Sequence, residues 1–182
     1  LDEITRQRMN DVYDKIDATN TEAFHIWKED ILFSWQWWLG FGLLFIPWTL
    51  WALYRKKDST SRILFAGLTI MILSSWFDFI GITLGLWYYP VSVIPTLPSY
   101  DIWDVTLLPV LAMFLFQFQP QMNPYLKACI FAGISAFIGE PLFHLMGFYE
   151  PKEWKYIYSF PIHSIIFLIA HYTSRRTSFE KL

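Results

Sequence analysis

The sequence predicts an all-α polytopic membrane protein of about five transmembrane helices, with the N-terminus outside and the C-terminus cytoplasmic. Three observations carry this expectation. Of 182 residues, 54% are hydrophobic and only 16% charged, too apolar a balance for a soluble fold of this size. Apolar runs long enough to cross a hydrocarbon core of ~30 Å recur along the chain. Lys and Arg in the short connections fall mostly on one side of those runs. Aromatic residues make up 20% of the chain, and many Trp and Tyr sit at the ends of the apolar runs, where an amphipathic ring suits the headgroup layer. The net charge of -2, without a long basic stretch, excludes nucleic acid as a partner. Cys129 is the single cysteine, which excludes an intramolecular disulfide or a thiolate-built zinc site within these residues. The opening Leu1-Asp2-Glu3 has no basic region leading into an apolar core, so no secretory signal peptide is expected there, and the absent initiator Met points to trimming or an expression boundary.

Residues 1–30 form the first element, an external amphipathic helical segment. Met9, Val12, Ile16, Ala23 and Ile26 or Trp27 recur at helical spacing, with a break expected at Ala18-Thr19-Asn20; one or two helices on or above the membrane compete with a solvated tail. A five-helix transmembrane bundle follows over 31–174. Its first span, about 31–54, carries no charge and is flanked by Trp35, Trp37 and Trp38 at one end and by Trp48, Trp51 and the Arg55-Lys56-Lys57 cluster at the other. Pro47 is expected to kink it. The second span, about 63–87, is interrupted by Asp78 alone. The connection 88–102 contains Pro90, Pro95 and Pro98, which forbid a regular helix. A third span, about 103–118, begins near Asp104 and contains Pro109. The fourth, about 125–147, contains Glu140-Pro141 and His144. After a short charged turn at 148–155, the fifth covers about 156–174, and 175–182 form a cytoplasmic tail. Arg55, Lys56, Lys57, Arg62, Lys127, Arg175, Arg176 and Lys181 place their segments in the cytoplasm, whereas 88–102 holds no basic residue. No internal repeat is present, and five spans do not divide into the inverted halves of many transporters.

Ionisable groups within hydrocarbon cost roughly 2.5 to 3.5 kcal/mol each on insertion scales, so each demands a partner, a wet cavity or a function. Counted from the helix ends, Asp78, Asp104, Glu140, His144 and His163 all fall at one outer level. The faces agree: Gly67, Ser74, Asp78, Gly81 and Gly85 form one stripe, with Gly81-x-x-x-Gly85 as a small-residue packing signal; Gly133, Phe137, Glu140, His144 and Gly147 form a second, and His163, Phe167, Ala170 and Ser174 a third. Three readings of this cluster compete. It is polar glue fixing helix register, a binding site for a small ligand, ion or relayed proton, or a metal-dependent enzyme in which Glu140 and His144, at i and i+4, share a metal with Asp78 and His163 in reserve. A bis-His haem between His144 and His163 is geometrically conceivable. No cofactor is specified by a full motif such as H-E-x-x-H, and no metal ligand set is assigned. Ser74, Ser75, Ser135, Ser159 and Ser164 lack the Gly-x-Ser-x-Gly setting of a nucleophile. The loop bearing Tyr88, Tyr89, Tyr100 and leading to Trp103 is either an ordinary interfacial loop or a lid over the cluster.

Several segments together resemble a known group. They are Trp37-Trp38 with Pro47-Trp48-x-x-Trp51, Asp78-Phe79-Ile80-Gly81 leading to Gly85-Leu86-Trp87-Tyr88-Tyr89-Pro90, Asp104-x-x-x-Leu108-Pro109, Glu140-Pro141-Leu142, Gly147-Phe148-Tyr149, and Trp154-Lys155-Tyr156-Ile157-Tyr158-Ser159-Phe160-Pro161. Over roughly residues 35–165 the chain is similar to an uncharacterised family of small multi-pass membrane proteins from Bacillus-type spore-forming Gram-positive bacteria. The resemblance implies a multi-pass plasma-membrane protein and includes Asp78, Asp104 and Glu140 in the family pattern; it supplies no activity. In that family the positions of His144 and His163 are usually apolar or Tyr, which weighs against the metal and haem readings. The expected function is recognition of a small ligand or ion, as a sensor or accessory subunit. The alternatives are a membrane-embedded metal-dependent enzyme and a purely structural interaction protein. Expected partners are the lipid bilayer, a membrane-protein partner or a second copy of the chain, and the small ligand or ion.

Overall fold

The computed structural model describes residues 1–95 and 100–175. Pro98 of the 88–102 connection, and Arg176 and Lys181 of the tail, lie outside them. Among the described residues the fold is helical, with one isolated antiparallel bridge between Tyr88 and Glu150. Three helical segments are long and apolar enough to cross a membrane: Trp35–Tyr54, Lys57–Thr83 and Pro124–Leu145. A fourth apolar segment, Trp103–Gln117, is shorter.

Helix α1 (Glu3–Ile26) starts where the Asp2 carboxylate accepts a hydrogen bond from Thr5 N at 2.8 Å, satisfying one of the free amides of a helix start. It buries none of its residues. The break expected at Ala18-Thr19-Asn20 is absent. The Thr19 and Thr21 hydroxyls fold back onto the Lys15 and Asp17 carbonyls at 2.8 and 2.9 Å, so they no longer compete for the backbone in a turn. A π-helical turn, Trp27–Ile31, and a left-handed residue at Phe33 (φ +64°) then redirect the chain. Helix α2 (Trp35–Tyr54) therefore begins four residues later than the expected span, capped by Ser34 Oγ on Trp37 N at 3.2 Å.

Helix α3 (Thr60–Thr83) follows a tight turn at Lys57–Ser59. It ends four residues before the expected limit of 87, because Gly85 takes φ +71°. Leu86 N then reaches Gly81 O and Gly85 N reaches Ile82 O, both at 2.9 Å, the paired bonds that close a helix on a left-handed glycine. Gly85 is a cap and not part of a packing face, so the Gly81-x-x-x-Gly85 signal is corrected. The remaining members of that stripe, Gly67, Ser74, Asp78 and Gly81, are all buried.

The next two apolar segments share an unexpected device. A π-helical turn, Trp103–Leu107, leads into α4 (Leu108–Gln117), and a second, Ser135–Gly139, joins α5 (Pro124–Ile134) to α6 (Glu140–Leu145). In each case the turn is followed by one residue and then a proline, Pro109 or Pro141. A proline has no N–H and its ring crowds the carbonyl four residues back; widening the preceding turn by one residue relieves that crowding. The carbonyl left without its helical partner by Pro109 is that of Val105, and the Trp48 indole of α2 donates to it at 3.1 Å. Helix α7 (Tyr156–Ser174) has the bounds expected of the fifth span.

Helices α3, α4, α5 with α6, and α7 pack as a ring, each against the next, and α2 lies outside it against α4 and the 103–107 turn. Only Gly40 and Trp51 of α2 are buried. The core is aromatic and aliphatic, with Phe131, Phe148, Phe167, Ile70 and Met113 fully enclosed. One end of the ring carries the connecting residues 84–95 and 146–155, here the loop end. The other carries Arg55–Arg62, Pro120 and Arg175, here the basic end.

Candidate functional site

At the loop end the two chain reversals are built alike. Gly147 (φ +79°) closes α6 as Gly85 closes α3, with Phe148 N on Phe143 O at 2.9 Å and Gly147 N on His144 O at 3.0 Å. The two segments that follow then pair, Tyr88 and Glu150 exchanging backbone hydrogen bonds of 3.0 and 2.9 Å. That pairing delivers Trp87 and Tyr89 from one side, and Phe148 and Tyr149 from the other, into the mouth of the ring.

Beneath them lies a cavity of about 50 Å³, lined among others by Ser74, Asp78, Trp87, Tyr89, Trp103, Asp104, Glu140, Tyr149, Trp154, Ser159 and His163. By the same measure a water needs about 10–15 Å³, so the space suits a few waters or one small ligand. Asp78 is held by two donors: Trp87 Nε1 at 2.9 Å, and the Tyr89 hydroxyl at 2.8 and 3.0 Å from its two oxygens. Burial, then the carboxyls of Asp78 and Asp104, push the Tyr89 phenol well above its ordinary range, so it stays protonated and donating. Tyr100 is stacked on Tyr89, rings 4.2 Å apart and 5° from parallel, and fixes it in place. The Asp101 carboxylate ties the loop down by accepting from Ile94 N at 3.1 Å and Ile102 N at 2.9 Å.

Asp104, in the π-helical turn before α4, reaches Asp78 and lies beside Ser74. Glu140 enters from α6 beside Ser159, whose hydroxyl also accepts from Trp154 Nε1 at 2.9 Å. His163 enters from α7. Three atoms in this cavity are buried without a hydrogen-bond partner in the protein: Asp104 Oδ2, Glu140 Oε2 and His163 Nδ1. No Lys or Arg lines it among the described residues. Such groups carry a full desolvation cost when left alone, and they face one space from three helices.

Four of the five residues picked out in the sequence thus meet: Asp78, Asp104, Glu140 and His163. His144 does not. Its Nδ1 sits 3.0 Å from Tyr149 O and 3.7 Å from Glu150, on the half-exposed flank of α6. The Glu140–His144 metal pair and the His144–His163 haem are therefore not formed, and among the described residues no three His, Cys, Asp or Glu side chains are placed to hold a metal ion. Phe137 also leaves the Glu140 face; it is exposed and stacks on Phe160, 5.6 Å between centroids, because the π-helical turn between them breaks the three-and-four spacing. The Trp87 indole braces Asp78 and the Trp154 indole holds the Ser159 hydroxyl beside Glu140, roles that a position at the end of an apolar run does not reveal. Gly85, one residue past the helical pattern and followed by Trp-Tyr-Tyr, was the available signal for a reversal aimed back at Asp78.

No family model, curated protein or solved structure matches the chain.

Proposed function

We propose that the chain is a five-span, multi-pass plasma-membrane protein of the Bacillus-type family it resembles, N-terminus outside and C-terminus cytoplasmic, which binds a small ligand or ion of positive charge in a pocket opening outward, as a sensor or accessory subunit. Support for five spans comes from lateral packing. The segment Trp103–Gln117 and α7 are flanked in the ring by α3 and α5, both within segments apolar enough to span, so they share their depth. At 15 residues, or roughly 22 Å, the former is shorter than the hydrocarbon core, and the polar Ser159, His163, His171 and Ser174 of α7 are buried within the ring, away from lipid. Outward opening follows from the Lys and Arg bias of the basic end.

The observation that carries the ligand reading is the set of three unpartnered polar atoms, two of them carboxyl oxygens, on residues lining one cavity that has no Lys or Arg among its described lining residues. Two adjoining carboxyls, Asp78 and Asp104, hold a proton between them or a cation beside them; the Trp and Tyr walls favour a cation by their ring faces. The test is a thermal-stability titration of the purified full chain in neutral detergent with sodium, potassium or methylammonium chloride, ionic strength balanced by N-methylglucamine. One of these cations should raise the Tm saturably, by mass action on the folded state. Asp104→Asn and Glu140→Gln should remove that rise while leaving the ligand-free Tm unchanged or higher. If no cation raises the wild-type Tm and both variants lose stability, the carboxyls are structural glue and the reading fails.

A further inference from the structure

The basic end holds a second concavity of different character. Lys56 and Ser59 from the turn before α3, Arg62 from the first turns of α3, Gln117 and Pro120 at the end of α4, and Ser174 with Arg175 at the end of α7 surround a cavity of about 430 Å³. Its floor is apolar, made of Ile63, Ala66 and Phe116. Three cations thus come from three places in the chain to one space. Among the described residues no carboxylate lines that space, and the only ion pairs are Arg6–Glu3 and His144–Glu150, so no described carboxylate neutralises Lys56, Arg62 or Arg175.

Two carbonyls at the end of α4 that would repel an anion here are occupied. Lys127, buried in the ring, donates to Leu115 O and Phe118 O at 2.7 Å each and so covers the end of α4. Arg175 Nη2 donates to Pro120 O at 3.0 Å, which holds one arm of the guanidinium, and among the described residues its other N–H groups make no hydrogen bond. A fixed guanidinium fork matches phosphate oxygens.

A second space adjoins the first. It measures about 420 Å³, shares Lys56 and Gln117 with it, and is walled by Leu111, Phe114, Leu115 and Phe118 on the face of α4 near Tyr54. A basic chamber joined through shared residues to an apolar groove has the two-part chemistry of a phospholipid, a phosphate ester attached to an acyl chain.

We propose that the basic end is a binding site for a phosphate ester, with an anionic phospholipid as its source: the phosphate among Lys56, Arg62 and Arg175, and an acyl chain in the Leu111–Phe118 groove. The site is independent of the loop-end cavity. The reaction to cations there has no bearing on it.

The experiment uses the delipidated full chain in neutral detergent, read by Tm and by native mass spectrometry. Phosphatidylglycerol, phosphatidylcholine, glycerol 3-phosphate and inorganic phosphate are added separately. Phosphatidylglycerol should bind saturably and raise the Tm, phosphatidylcholine should not, and the two soluble phosphates should compete only weakly. Arg62→Gln or Arg175→Gln should each weaken phosphatidylglycerol binding roughly fivefold, and the pair roughly 25-fold, as expected for one charge contact each. Lys57→Gln, at the same level but outside the lining, should leave binding unchanged. Equal losses in Lys57→Gln and Arg62→Gln would reduce the effect to general surface charge and overturn the site. Glycerol 3-phosphate binding as tightly as phosphatidylglycerol would overturn the lipid assignment in favour of a soluble phosphate ester. No preference of phosphatidylglycerol over phosphatidylcholine, with neither soluble phosphate bound, would overturn the proposal entirely.

Discussion

The two ends of the ring solve the problem of polar groups near lipid in opposite ways. At the loop end the charged groups are carboxyls, buried and braced: Trp87 and Tyr89 hold Asp78, Tyr100 backs Tyr89, and Trp154 holds Ser159 beside Glu140. At the basic end the cations stand exposed around an open space, and one of their number, Lys127, is spent internally on helix carbonyls. Bracing costs conformational freedom and gives fixed geometry, which suits discrimination of a small ligand. Around the one guanidinium tied to Pro120 O, the exposed Lys56 and Arg62 adapt on long stems, which suits a headgroup whose outline varies among lipids.

The sharpest way to break this contrast is to add the same methyl group at both ends of α3. At Gly81 a Cβ would run into the indole ring of Trp87, a rigid group pinned by its bond to Asp78. At Gly67 it would meet Met113 Sδ at 2.7 Å, the sulfur of a flexible side chain. Gly81→Ala is expected to cost about 3 kcal/mol, as overpacking against rigid neighbours does, and Gly67→Ala about 1 kcal/mol or less. Chemical unfolding in detergent measures both, and equal costs would mean that the loop end is no more rigid than the rest.

Next in size is Lys127→Met, which keeps the stem of the side chain and removes its two charge-assisted hydrogen bonds to the end of α4. A loss of about 2 kcal/mol is expected. Unfolding midpoints should fall while cation stabilisation at the loop end persists. If both fall together, the two ends are one cooperative unit and do not differ in rigidity.

The smallest effect belongs to α1. Asp2 is held below the ordinary carboxylate range first by its hydrogen bonds to Thr5. A lowered pKa in the folded state stabilises the helix start above the unfolded value of about 3.9 and loses that contribution as pH falls through the lower folded value. Protection of the Thr5 and Arg6 amides, taken relative to an unstructured peptide at the same pH, should therefore hold above the ordinary carboxylate range and fall only as pH drops through the lowered Asp2 value, and Asp2→Ala should lack that protection at every pH. Exchange that stays slow in Asp2→Ala would show that the cap does not hold this helix. Loop-end pH profiles are best taken above that range, where α1 is constant.

Much of the ring was readable from spacing and burial cost. Asp78, Asp104, Glu140 and His163 were conspicuous because each interrupts an apolar run, and lipid makes such interruptions expensive. The bounds of α7 also follow from the hydropathy pattern, even though its buried serines and histidines make it too polar to count as a span by composition alone. The departures have separate local causes. Gly85 and Gly147 leave the helix faces because their left-handed backbone ends the helices. Phe137 leaves the Glu140 face because the 135–139 turn interrupts the α period. His144 shares the unbroken α6 with Glu140 but lies one turn nearer the loop end, where its ring meets Tyr149 O instead of the cavity. The π-helical turns at 103–107 and 135–139 depend on packing from other elements, such as the Trp48 indole on Val105 O, and no local periodicity announces them; a proline two positions past each turn is their trace in the chain, and the turn at Trp27–Ile31 leaves none.

Those turns also bear on how the chain tolerates changes in length. A π-helical turn is an α-helix holding one residue too many. Removing one of Ser135–Gly139 would let the turn close to a regular helix with Glu140 kept near its present direction, because the widened turn already absorbs the extra residue. The same loss within the regular α3, between Ser74 and Asp78, has no such slack and would turn everything beyond it by about 100°, so the polypeptide tolerates a change of length at the one place and not at the other.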